Sequence, residues 1–223
     1  MVAVALGVSV FLGVGFLSFV TLARPWNSGS LNESDRKRPE LVLQTGHSKG
    51  VNCSAFGPDG SWLASGGSDN AINIWQVASG RELRALTGHT GYIKSLAASL
   101  NGQWLASGSS DRTVKVWDVA TGRELYSLPG HTSSVEALAF SFDNRWLASG
   151  GADKTIKIWD LTNGKEIRTL NDHTDRVMAL AFSGDGKLLA SGSADTTVKL
   201  WDTSSWRIVH SAKTNWKNHR TCF

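Results

Sequence analysis

The sequence predicts an all-β fold made of four copies of one unit, behind a single N-terminal helix of transmembrane type. Three observations predict it. Trp75, Trp117, Trp159 and Trp201 stand 42 residues apart with no insertion between copies. A fixed period in this range marks one supersecondary unit repeated in tandem. Within each copy, short apolar runs of strand type alternate with turn residues. Ahead of the copies, residues 2–23 form a run of 22 residues without a charge.

Taken from the N-terminus, residues 2–23 would span about 33 Å as a helix, enough for a bilayer core. A cleavable signal peptide is the rival for residues 1–23, because Thr21, Leu22 and Ala23 can pass as a small-residue cleavage site. No Lys or Arg precedes the run, and it exceeds the usual length of a signal's apolar stretch. Arg24 and the cluster Arg36, Lys37 and Arg38 follow it. Positive charge after the span and none before it places the repeats on the cytoplasmic side. Cleavage would instead give a secreted or periplasmic protein. Residues 24–39 are polar, contain Pro25 and Pro39, and read as a linker. Residues 40–43 read as a strand arriving before any complete copy has begun.

The copies occupy residues 40–212. In the second, apolar runs cover residues 93–98, 104–108 and 113–117, and a fourth follows at 124–128. Between the first two runs of each copy sit Asp59-Gly60, Asn101-Gly102, Asp143-Asn144 and Asp185-Gly186. Such pairs tolerate positive φ and close tight hairpins. Ser79-Gly80, Thr121-Gly122 and Asn163-Gly164 separate the third and fourth runs. The unit is therefore a four-stranded antiparallel meander. A small sheet with two apolar faces must stack on its neighbours, and the radial antiparallel solution is a propeller.

The residues now on the page resemble the WD-repeat β-propeller family. Gly46-His47, Gly88-His89 and Gly130-His131 match its Gly-His, and Trp117-Asp118, Trp159-Asp160 and Trp201-Asp202 match its Trp-Asp. Trp75-Gln76 and Asp172-His173 depart from the pattern but keep the Trp and the His. After Asp202 the copy decays: Trp206 stands where Gly is expected, and Thr214-Asn215 where Gly-His is expected. Residues 213–223 carry no assignable pattern and read as an unstructured tail.

Each copy holds His, Ser and Asp, the residue types of a nucleophilic triad. The set recurs four times in step with a Trp, and a buried indole N–H needs an acceptor. The resemblance implies four structural networks: Trp75–Ser65–His47–Asp69, Trp117–Ser107–His89–Asp111, Trp159–Ser149–His131–Asp153 and Trp201–Ser191–His173–Asp195. No catalytic residue, metal ligand or cofactor is assigned. The His residues lack metal-ligand spacing within a copy, and the Gly residues sit at turns rather than in a phosphate loop.

Family members differ in the loops around one face of the ring. Carried over residue by residue, the positions there are Gly50, Asn52 and Ser68; Tyr92, Lys94 and Ser110; Ser134, Glu136 and Ala152; and Arg176, Met178 and Ala194. They vary between copies while the framework does not. Tyr92, Arg176 and Met178 are of types enriched at interfaces. The net charge of +4 lies outside the copies, since residues 41–202 hold 15 Lys/Arg against 16 Asp/Glu. A nucleic-acid face is therefore not expected. Two cysteines, Cys53 and Cys222, form no disulfide framework. Asn32-Glu33-Ser34 and Asn52-Cys53-Ser54 fit the short glycosylation pattern.

The resemblance implies a non-enzymatic scaffold for protein partners, here tethered to a membrane. An enzyme built on a propeller is the alternative from another class. The blade count raises a third, a truncated fragment of a longer WD-repeat regulatory protein. Family members typically close with seven blades of roughly 51° each, and this chain supplies four. A truncated gene product, a two-chain ring of eight blades, and a strained four-blade closure all fit that count. In an open form the bare blade faces would promote self-association.

Overall fold

The computed structural model describes residues 46–213, and the calls on residues 1–23, 24–39, 40–43 and 214–223 lie outside them. Sixteen strands form four antiparallel sheets, each in sequential order. Blade 1 comprises β1 (Val51–Phe56), β2 (Trp62–Gly67), β3 (Ile72–Gln76) and β4 (Glu82–Leu86). Blade 2 comprises β5 (Ile93–Ala98), β6 (Trp104–Ser109), β7 (Thr113–Asp118) and β8 (Glu124–Pro129). Blade 3 comprises β9 (Val135–Phe140), β10 (Trp146–Gly151), β11 (Ile156–Asp160) and β12 (Lys165–Leu170). Blade 4 comprises β13 (Val177–Phe182), β14 (Leu188–Ser193), β15 (Thr197–Asp202) and β16 (Arg207–Lys213). Lys213 pairs with Thr197 in β16, so the tail expected from residue 213 begins one residue later at the earliest. Among the described residues no helix is long and apolar enough to cross a membrane.

The turns behave as their residues dictate. Gly60, Gly102, Asn144 and Gly186 close the first hairpins at φ 70°, 70°, 56° and 70°. Gly80, Gly122 and Gly164 take φ 67°, 75° and 68° in the third hairpins, and Trp206 takes the same left-handed conformation at 55°. A bulky residue there is strained. Its ring meets Trp146 edge to face at 5.4 Å, so packing onto the preceding blade holds it in place.

The core lies between blades rather than within them. Ala64, Ile72, Ile74 and Leu86 of blade 1 cluster with Ile93, Leu105 and Trp117 of blade 2. Ala106, Val114, Val116 and Leu128 meet Val135, Leu147 and Trp159 in the same way. Ala148, Ile156, Ile158 and Leu170 meet Val177, Leu189 and Trp201. Each blade thus offers a trailing face of one Ala, two β-branched residues and a Leu. It offers a leading face of one β-branched residue, a Leu and a Trp.

Among the described residues, the outer faces of blades 1 and 4 are less buried than the faces between blades. Val51 is 58% exposed, whereas its counterparts Ile93, Val135 and Val177 are 0% exposed. Ala190, Val198 and Leu200 of blade 4 are half-buried where their counterparts are fully buried. A strained closure of four blades on themselves would bury both faces, and the structure does not adopt it.

Candidate interaction face

Two sets of residues occupy the edge of the blades where each first strand begins. The first is the repeated network. In all four copies the Trp Nε1–H donates to Ser Oγ at 2.8 Å. Each Ser Oγ lies 2.8 Å from His Nε2. His Nδ1 lies 2.9, 2.8, 2.9 and 2.8 Å from Asp69, Asp111, Asp153 and Asp195. The carboxylate can only accept, so the imidazole proton sits on Nδ1 and Nε2 accepts from the serine.

The Asp is the best-held member. It receives the backbone N–H of Ser48, Thr90, Thr132 or Thr174 at 2.8 to 3.0 Å. In three copies a threonine hydroxyl also donates to it: Thr113 at 2.6 Å, Thr155 at 2.9 Å and Thr197 at 2.6 Å. These threonines are network members that the sequence reading missed. The signal was present, a Thr two positions after the turn Asp in three copies, with Ala71 in the first.

Electrostatics follow from this geometry. Burial works to raise the Asp111 carboxyl, but hydrogen bonds from Thr113, His89 and Thr90 together hold it down at about 2. Asp69, Asp153 and Asp195 are lowered by the same balance. Burial pushes His89 and His131 below the usual imidazole range, against the pull of Asp111 and Asp153. Both stay neutral near pH 7.

Ser–His–Asp in this order also describes a hydrolase triad. The surroundings differ from one. Ser107 and Ser149 are 0% exposed, and their Oγ lone pairs already hold an indole N–H. A nucleophile must reach its substrate, and these do not. Cys53 is half-buried, and burial pushes its thiol up to about 12, well above a reactive thiol. Among the described residues no group of three or more His, Cys, Asp or Glu is placed to hold a metal ion.

The second set is the copy-variable one. A backbone hydrogen bond joins its members in pairs: Ser68 N–H to Gly50 O, Ser110 to Tyr92, Ala152 to Ser134 and Ala194 to Arg176, at 2.8 to 2.9 Å. Each corner after the second strand is thus fixed beside the residue that precedes the first. Tyr92 and Met178 are 48% and 43% exposed, and Arg176 and Asn52 are exposed too. Lys94, Ser110, Ser134, Glu136 and Ser68 are half-buried. Asn52 and Ser68 bond each other at 3.0 Å, and Asn52 also reaches the Ile93 carbonyl of blade 2 at 3.0 Å. Ser134 donates to Glu136 at 2.5 Å. The structure therefore brings each copy's variable residues together at one corner, directly beside a rigid network.

Four-stranded blades, each locked by a Trp–Ser–His–Asp chain, define a repeat-built protein of propeller type. The chain belongs to the WD domain, G-beta repeat family, which matches residues 39–76, 80–118, 122–160 and 164–202. Over 47 residues it is 53% identical to the ribosome biogenesis protein BOP1 of Rattus norvegicus, a stretch making up 21% of this chain and 6% of that protein. Over 45 residues it is 40% identical to the periodic tryptophan protein 2 homolog of Dictyostelium discoideum, 20% of this chain and 5% of that one. Both stretches are about one repeat long, so the likeness is to the blade and covers a small share of each relative. In space the chain is similar to the structure of U3-55K, with a TM-score of 0.69 and 28% identity over 74% of this chain and 52% of that one.

Proposed function

We propose that this chain is a non-enzymatic scaffold for protein partners, read through the copy-variable corners and tethered to a membrane by residues 2–23. The observation that carries the binding part is the contrast within one edge of the blades. Four hydrogen-bonded networks repeat with near-constant distances. Beside them, Gly50, Tyr92, Ser134 and Arg176 occupy one equivalent position with four different chemistries. A rigid frame with a variable, partly apolar rim suits recognition, because little ordering entropy is lost on binding. Buried serines and neutral histidines support the non-enzymatic part.

The partner is a protein rather than a nucleic acid on charge grounds, since the copies are near neutral and present no basic stripe. The ribosome-biogenesis relatives share roughly a single blade with this chain, and a blade specifies architecture rather than process. The tether rests on the uncharged 22-residue run and the basic residues that follow it.

Replacing Tyr92, Arg176 and Met178 together with alanine tests the binding part. Proteins recovered with the full chain from its native membranes should drop at least tenfold while the melt is unchanged. Equal recovery would refute the rim as the binding surface. For the tether, the full chain should resist carbonate extraction, and protease outside intact cells should spare the repeats. A mature N-terminus at Arg24 would refute it.

A further inference from the structure

Each first strand carries a β-bulge near its start. Pairing with the second strand skips one residue between Val51 and Cys53, Ile93 and Ser95, Val135 and Ala137, and Val177 and Ala179. The skipped residues are Asn52, Lys94, Glu136 and Met178. A bulged residue has no ladder partner opposite it, and the bulge re-aims its side chain. Val177 is sealed against blade 3, whereas Met178 beside it is 43% exposed. Three copies thus put a polar or charged group at this place on the rim, and the fourth puts a thioether.

We infer that, with the rim as the binding surface proposed above, Met178 is a reversible oxidation site at which a peroxide converts the thioether to the sulfoxide and so releases the partner. Among the described residues, sulfur stands at Cys53 and Met178. Peroxides attack a thiol as its thiolate, and burial pushes the Cys53 thiol up to about 12. A thioether needs no deprotonation, so the exposed Met178 is the sulfur of this pair that reacts at neutral pH. A sulfur lone pair forms the S–O bond as the O–O bond of the peroxide breaks. The proton on the transferred oxygen passes to the departing hydroxide, and water leaves. Sulfur is oxidised and the peroxide reduced. Methionine sulfoxide reductases return the thioether, one enzyme for each sulfoxide epimer, with a dithiol ending as a disulfide and the oxygen leaving as water.

The fold tolerates the product, because the other copies already carry polar groups at this bulge. Asn52 places an amide there, bonded to Ser68 and to the Ile93 carbonyl at 3.0 Å each. Ile93 and Val135 stay sealed between blades although Lys94 and Glu136 follow them. A sulfoxide at Met178 therefore leaves the blade intact. A contact fitted to the thioether does not tolerate it. Apolar atoms packed on the sulfur offer the new oxygen no donor, and an S–O dipole taken out of water without one is costly. Sulfoxide formation has this effect on methionine contacts generally, turning a flexible apolar side chain into a polar one.

Membranes from cells expressing the full chain supply both the protein and its partner, and a photo-reactive phenylalanine analogue at position 92 reports the contact as an adduct on illumination. Hydrogen peroxide, quenched with catalase before illumination, should cut the adduct at least about fivefold, and both reductases with dithiothreitol should restore it. Met178→Leu should give the same adduct with and without peroxide. Met178→Gln, which carries a fixed amide, should give the low adduct with no peroxide at all. On the purified full chain in detergent, peptide mass spectrometry should find an added oxygen at Met178, gained at a rate within roughly threefold of free methionine, with the circular dichroism melt unchanged. A Met178 that resists peroxide would overturn the inference. So would an adduct that peroxide leaves intact, or a loss that Met178→Leu shares. A melt that falls on oxidation would overturn it too, because the loss of adduct would then be unfolding. No adduct from untreated membranes would refute the rim itself, whereas an adduct indifferent to peroxide would leave the rim standing and remove only the switch.

Discussion

At the residue scale, one proton decides what each network serine does. Ser107 Oγ accepts the Trp117 indole N–H and turns its own proton toward His89, so its hydroxyl is fully committed inside the blade. His89→Ala should leave a buried hydroxyl unpartnered and lower unfolding free energy by about 1–3 kcal/mol. Denaturant melts measure this, and rim binding should be unaffected. The acid response follows from the shifts. His89 and His131 titrate lower in the fold than unfolded, so the folded state binds fewer protons and stability falls as pH drops below about 6.5. Asp111 adds a second loss from about pH 3.8 down to about 2. Melts across pH 7 to 2 should show two steps, and Asp111→Asn should remove part of the second. Backbone strain gives the opposite sign. Asn70, Arg112, Lys154 and Thr196 follow the turn Asp with φ of 67°, 74°, 71° and 70°. Lys154→Gly should raise stability by about 1 kcal/mol in the same melts, because glycine meets no Cβ penalty there.

At the element scale, strands and turns were legible because each copy restates them. Trp at the end of the third strand, Asp-Gly or its equivalents in the first hairpin and Gly in the third set the period and the strand order. The strained turn residues were not legible. Arg and Lys have no local preference for positive φ, and only the Asp and Thr bonds around the turn impose it. By sequence Trp206 is a lapse of the pattern, yet it holds the glycine conformation through contact with Trp146, a tertiary effect absent from local sequence. The threonines of the network were visible as a repeat but not as ligands of the Asp, since their role depends on the turn's geometry. Packing gives a prediction that separates inner faces from ends. Leu105→Ala should cost about 2–5 kcal/mol at any protein concentration, because Leu105 is sealed between blades 1 and 2. Leu63→Ala should cost less, because Leu63 is only half-buried on the outer face of blade 1. Thermal melts distinguish the two.

At the scale of the whole molecule, the four blades form a stiff arc whose framework is common to a large family and whose rim belongs to this chain. The family was readable from residues 40–212, whereas the partner was not, because recognition depends on which exposed residues vary rather than on which repeat. That Val51 is exposed where its counterparts in the later blades are sealed needed the packed blades. The scaffold reading is tested most directly at Tyr92. A photo-reactive phenylalanine analogue placed at position 92 of the full chain in living cells should give one discrete adduct on illumination. Arg176→Ala with Met178→Ala should weaken that adduct severalfold, and the same analogue at Leu125 on the outer strand should give none. Equal labelling from positions 92 and 125, or no adduct from either, would contradict a partner held at the rim.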